Sequence, residues 1–369
     1  DTSERHEGLV AAIALESLVK VVAFVAAGIF VTYGLFDGFA DIFNDFLVRF
    51  PEREHLLRLG TETNSYAHWL SMTIISMMAV MFLPRQFHIM VIENCREEHI
   101  RSAMWRFPAY MFAINLFVIP IALGGLLLGN GDTYNADFFV LTLPLQYGQP
   151  WLAMLVFIGG FSASAGMDMV SSVALSTMIL NHLVIPIILK FHSKAQNLSS
   201  LLVNLKRIGI IAVILLGYIY YRFLGESAAL VNIGLISFVA ATQFAPAVIG
   251  GLYWRQATQR GATIGLILGF ILWFYTLLIP SFVQSGWIGP EIVNQGLWGL
   301  ALLKPTELFG LSGFDIWTHS LFWTMFFNLG SYLAISLLTT PNHEEQEQVR
   351  KFVDVYSPLP VVTKKTRIT

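Results

Sequence analysis

The chain has 369 residues, of which 55% are hydrophobic and only 12% charged, and its mean hydropathy is +0.64. Soluble domains carry about 25% charged residues, so this composition points to lipid as the main solvent. A net charge of −2 gives no footprint for a nucleic-acid partner, and the single cysteine, Cys95, excludes a disulfide framework within the chain.

The first seven residues, Asp1 to Glu7, are charged and run directly into an apolar stretch, with no secretory signal and no initiating Met, which reads as a fragment. A membrane helix needs about 20 apolar residues. Stretches of that kind predict spans near Gly8–Phe36, His68–Val91, Ala103–Leu128, Trp151–Lys190, Gly209–Phe223, Leu230–Trp254, Gly261–Val283 and Ile316–Leu338. The fourth is too long for one upright span and reads as a tilted or extended helix. The fifth is short. Apolar residues run continuously rather than alternating, which argues against strands. The expectation is an all-α polytopic membrane protein with about eight transmembrane helices, followed by a charged tail over residues 341–369.

Eight alternating spans place both ends and the loops after spans two, four and six on one side. That side carries Arg96, Arg101, Lys194, Lys206, Arg207, Arg255 and Arg260, and then Arg350, Lys351, Lys364, Lys365 and Arg367. The opposite loops are poorer in Lys and Arg, apart from Arg49, Arg53 and Arg58 in a long and also acidic loop. The excess of basic residues predicts that both ends are cytoplasmic.

Polar residues inside spans are costly in lipid and face protein or water. Glu16 and Lys20, four apart on one helical face, read either as a self-neutralising pair or as a gating charge. Asp168 lies mid-span among Ser162, Ser164, Ser171 and Ser172. These are hard oxygen ligands for a small cation, or simply small residues for close packing. Pro84 breaks the second span, and freed carbonyls at such breaks coordinate solutes and ions in transporters; the alternative is a plain kink. Gln243, three residues before Pro246, reads as a cavity wall. No Ser-His-Asp, His-Glu-x-x-His or Walker-type pattern is present, and His343-Glu344-Glu345 reads as a solvated coil.

The run from Gln243 through Pro246, Gly250-Gly251-Leu252-Tyr253-Trp254-Arg255 and Arg260-Gly261, with Gly265 and Gly269 following, is similar to the signature of the sodium:solute symporter family. Leu83-Pro84-Arg85-Gln86-Phe87-His88 and the Ser162–Ser176 region extend the likeness to nearly the whole chain. The resemblance implies part of an inverted-repeat, LeuT-type symporter fold over residues 1–340, with about five further spans preceding Asp1. It also implies a midplane site in which Pro84 and Gln243 bind substrate and Ser162, Ser164 and Asp168 bind a cation. Na+ is the ion the family implies and no other cofactor is expected. Where the family places adjacent hydroxyls, this chain has Ala165-Gly166.

Phe82–His88, Val173–Met178 and Phe352–Val355 resemble most closely the symporter-like membrane domain of transporter-fused sensor histidine kinases. That likeness implies a bacterial inner-membrane protein that binds a small organic solute such as an amino acid, with or without cation-coupled transport. It would be the input module of a kinase domain that acts on a response regulator. A stand-alone sodium:solute symporter is the alternative.

Overall fold

In the computed structural model, residues 7–61, 65–94, 96–131, 136–191, 198–224 and 230–353 are described, and among them no strand occurs. Cys95, Lys194 and residues 354–369 lie outside them. The helices in chain order are α1 (Glu7–Ile29), α2 (Phe39–Arg49), α3 (Tyr66–Phe82), α4 (Pro84–Phe87), α5 (Glu97–Asn115), α6 (Val118–Leu128), α7 (Phe139–Gln146), α8 (Pro150–Ile179) and α9 (Ile185–Phe191). They continue with α10 (Leu198–Leu224), α11 (Leu230–Thr242), α12 (Ala245–Tyr253), α13 (Gln259–Trp273), α14 (Ile279–Gln284), α15 (Glu291–Gln295), α16 (Ile316–Leu338) and α17 (His343–Phe352). Seven helical runs are long and apolar enough to cross a bilayer, and α3 with α4 makes an eighth if that bent pair is one span. The chain is therefore an all-α polytopic membrane protein. Its many exposed large apolar side chains, such as Leu15, Phe157, Leu216 and Phe326, are what a lipid-facing surface requires.

Several span boundaries move from their predicted places. The fourth span is one helical run, Pro150–Ile188, continued past α8 by a π turn at Leu180–Val184. The fifth begins earlier, because the leucine-rich segment before Gly209 continues the helix. Lys206 and Arg207 therefore sit inside α10 rather than in a loop. Arg101 likewise lies within α5. The third span is interrupted at Leu116–Phe117, where α5 stops and α6 begins.

The chain divides into two compact units, Asp1–Tyr66 with Leu83–Asn232, and Ala67–Phe82 with Ile233–Thr369. In the first, α1 packs along α8. A Cβ at Gly159 would collide with Ala23, and one at Gly166 with the Glu16 carboxylate. These two contacts run in opposite senses along the two helices, so α1 and α8 are antiparallel, brought close by small residues as is usual in membranes. Helix α2 is amphipathic and buries Ile42 and Phe46 against Leu123 and Leu127 of α6. Arg49 donates to the Leu127 carbonyl (3.0 Å) and Arg53 to the Gly131 carbonyl (3.2 Å). The first is a carbonyl that the end of α6 leaves without a helical donor, and the second lies in the turn just past it. The basic residues that break the charge asymmetry of this loop are thus held at the end of α6.

In the second unit, α13 and α16 form the most extensive helix pair. Gly269, Gly265 and Gly261 on α13 face Asn328, Tyr332 and Ser336 on α16 in antiparallel order, each leaving no room for a Cβ. An apolar cluster of Ile75, Ile236, Val239, Leu277 and Leu321 gathers α3, α11, the turn after α13, and α16.

Candidate functional site

Two groups of intramembrane polar side chains emerge, one in each unit. The first unit resumes at Leu83, where α3 of the second unit has ended at Phe82; Leu83 is extended (φ −63°, ψ 131°), and α4 starts with Pro84 at its first position. Proline lacks the N–H that would continue the preceding ladder, so its place at a first helical position is the expected one. The next residue, Arg85, is half-buried. Its guanidinium interacts electrostatically with Glu16, which also feels Lys20 one turn along α1. The Glu16 carboxylate rests against Gly166 of α8, the only residue type that leaves it room. Lys20 reaches over the Tyr110 ring (5.9 Å to the centroid), and the Tyr110 hydroxyl donates to the Ser17 carbonyl (3.4 Å). The group as a whole comprises one acid and two bases, placed at the break that Pro84 introduces.

A buried His88–Glu93 pair lies in and just past the π turn after α4, with Nε2 3.3 Å from Oε1. Both residues are under a tenth exposed. A π turn at such a place is often functional.

The expected cation ligands are placed differently from one another. Asp168 is exposed on α8, Ser164 is exposed and its hydroxyl donates to the Phe161 carbonyl of its own helix (3.1 Å), and Ser162 is half-buried. At about 100° per residue, Ser164 and Asp168 share a face and Ser162 lies across the helix from them. The chain therefore brings two of the three together. Among the described residues there is no group of three His, Cys, Asp or Glu side chains able to hold a metal ion.

In the second unit, Gln243 sits at the break between α11 and α12 and is fully buried. Its Nε2 donates to the Val239 carbonyl (3.2 Å). Asn328 Nδ2 donates both to its Oε1 (3.1 Å) and to its backbone carbonyl (2.8 Å). Gln243 is thus buried and hydrogen-bonded to Val239 and Asn328. The Thr276–Ser320 hydroxyl pair (2.7 Å) lies further along the same α13–α16 seam. Asn328 went unnoticed in the sequence, although an amide inside an apolar span was the available signal. Arg85, Glu93, Thr276 and Ser320 were missed likewise.

His319 is fully buried near the start of α16. Its Nε2 accepts from the Leu308 N–H (2.9 Å), so the proton is on Nδ1. This bond fastens the irregular segment before α16, as does the Tyr275 hydroxyl, which donates to the Leu303 carbonyl. Asp315 is the N-cap of α16, accepting from the N–H groups of Trp317 (3.0 Å) and Thr318 (3.1 Å) and from the Thr318 hydroxyl (2.6 Å). His68 Nδ1 lies 3.1 Å from its carboxylate. Partial burial would raise the Asp315 pKa. The Thr318 donors and His68 outweigh it and hold the carboxyl below its ordinary value.

Compared with models of known families, with curated proteins and with solved structures, the chain gives no match.

Proposed function

We propose that this chain is a symporter-like membrane domain that binds a small organic solute such as an amino acid and serves as the input module of a sensor histidine kinase. The observation that carries the reading is the helix break at Leu83–Pro84. It sets Arg85 within electrostatic reach of Glu16, which also feels Lys20, inside the span region. Two bases with one acid leave a positive balance suited to a solute carboxylate, and Arg presents a planar fork for it. Irregular backbone at membrane depth belongs where it lines a site buried in protein. Asp168 and Ser164, together on one face of α8, are the residues we assign to a coupling cation, Na+ in this reading. The protein would lie in a bacterial inner membrane with both ends cytoplasmic, so that the segment after α16 leads toward the kinase.

The test is equilibrium binding of a panel of labelled amino acids to the full chain in lipid nanodiscs, in Na+ and in K+ buffer. Saturable binding that Arg85→Gln weakens about tenfold or more supports the reading, since one charge-assisted contact is of that order. Binding by none of the panel, or binding indifferent to Arg85→Gln, overturns it. Asp168→Asn should abolish the difference between the two buffers; if that difference persists, the cation is held elsewhere. Sequence of the parent reading frame after Thr369 separates the sensor reading from that of a stand-alone symporter. A kinase module supports the first and an early stop codon the second.

A further inference from the structure

In the second unit a cavity lies where α12, α13, α16 and α17 meet. It encloses about 400 Å3, and its walls include Trp254 of α12, Thr258 and Gln259 at the start of α13, Tyr332 of α16, and Glu344 and Glu345 of α17. Tyr332 is only 2% exposed and stands edge-on to Trp254, with ring centroids 5.5 Å apart. Its hydroxyl lies against Gly250 on the α12 wall and has no hydrogen-bond partner among the described residues.

The two α17 carboxylates that line the cavity are not equivalent. Glu345 is fully engaged, one oxygen accepting from the Gln259 N–H (2.6 Å) and the other from the Asn342 N–H (2.6 Å). Its second bond completes a capping box in which the Asn342 side chain accepts from Glu345 N–H. Glu345 is therefore a strut that holds α17 over the cavity. Glu344 beside it is exposed, lines the cavity and has no ion pair among the described residues. Among the described residues no Lys or Arg lines the cavity. Its walls thus present negative charge and two aromatic rings, with one free hydroxyl.

We propose that this cavity is a binding site for a small organic cation bearing an ammonium group. The Glu344 carboxylate is its counter-charge, the rings of Trp254 and Tyr332 its apolar wall, and the Tyr332 hydroxyl an acceptor for one of its N–H bonds. A carboxylate with aromatic faces is the combination that recognises such cations. The site shares no residue with the solute site at Arg85, and α17 forms one of its walls.

Labelled putrescine is the probe, in equilibrium binding to the full chain in nanodiscs at low ionic strength. The expected result is saturable binding that Glu344→Gln weakens about fivefold or more and Tyr332→Phe about threefold or more, the ring packing being retained in the latter. Arg85→Gln should leave it unchanged, which keeps this result distinct from the amino-acid experiment. Absence of saturable binding to the unaltered chain overturns the proposal. So does binding that Glu344→Gln weakens less than fivefold, or that Tyr332→Phe leaves as it was.

Discussion

Asp315 gathers three donors and a histidine at the start of α16, and its stabilising part depends on charge. A carboxyl with a depressed folded pKa contributes stability that is fully present above its unfolded value, near 3.8, and lost as pH falls through the folded one. Asp315→Asn keeps a capping oxygen and removes the charge. At pH 7 the variant should be less stable than the parent by about 0.3–1 kcal/mol, the scale of a carboxylate's charge at a helix N-terminus. The gap should close on acidification below 3.8. Chemical denaturation in detergent across that range measures it, and a gap that stays constant with pH would remove the charge from the account. Residue-level features were the least legible from sequence. Gln243 was recognisable as an intramembrane amide, but Asn328, which satisfies it from 85 positions away, could not be assigned as its partner without the fold. Arg49 and Arg53 appeared as loop charge, because nothing in their own segment tells that the end of α6 is beside them.

At the level of elements, the α13–α16 seam rests on a row of glycines on one helix facing polar side chains on the other. A Cβ at Gly269 would overlap Gln243 Oε1 and Asn328 Nδ2, whereas a Cβ at Gly217 in α10 meets nothing. Gly269→Ala should therefore destabilise by about 1–3 kcal/mol, the cost of overpacking a fitted interface. Gly217→Ala should be neutral or stabilising by up to about 1 kcal/mol, the helix-propensity gain. Thermal unfolding of the two variants side by side decides the matter, and equal effects would mean that the close approach at Gly269 is unimportant. Both glycines look alike in sequence. The period of four through Gly261, Gly265 and Gly269 is visible there, and so is the matching period through Asn328, Tyr332 and Ser336. Their register against each other is a property of the assembled pair.

For the whole molecule, the number of crossings turns on α3 and α4. If that pair spans the bilayer, residues 54 and 98 lie on opposite sides; if it turns back, they lie on the same side. In a chain with Cys95→Ser, single cysteines at Glu54→Cys and Glu98→Cys, labelled from outside with an impermeant maleimide, should react from opposite faces. Labelling of both from one face would reduce the count to seven and part the two ends of the chain. Most of the span layout could be read from the sequence, since continuous apolar runs fix helices of this kind almost unaided. The interruption at Leu116–Phe117 did carry a signal, Pro120, which has no N–H for the Leu116 carbonyl four residues back, whereas no Gly or Pro marks the extension of α10 before Gly209.

The amide pair joining Gln243 to Asn328 also bears on how the chain is made. Helix α16 is the least apolar of the seven long runs, and on leaving the ribosome it must partition into lipid with Asn328 bare. Once Gln243 is present to receive that amide, the same residue turns from an obstacle to insertion into a reason to stay. The order of synthesis supplies the acceptor first: α11 to α13 are already in place when α16 emerges. Helix α16 is apolar enough to enter by itself, and its predecessors add about 1 kcal/mol through this bond, so a chain with Gln243 replaced should hold α16 in the membrane less firmly.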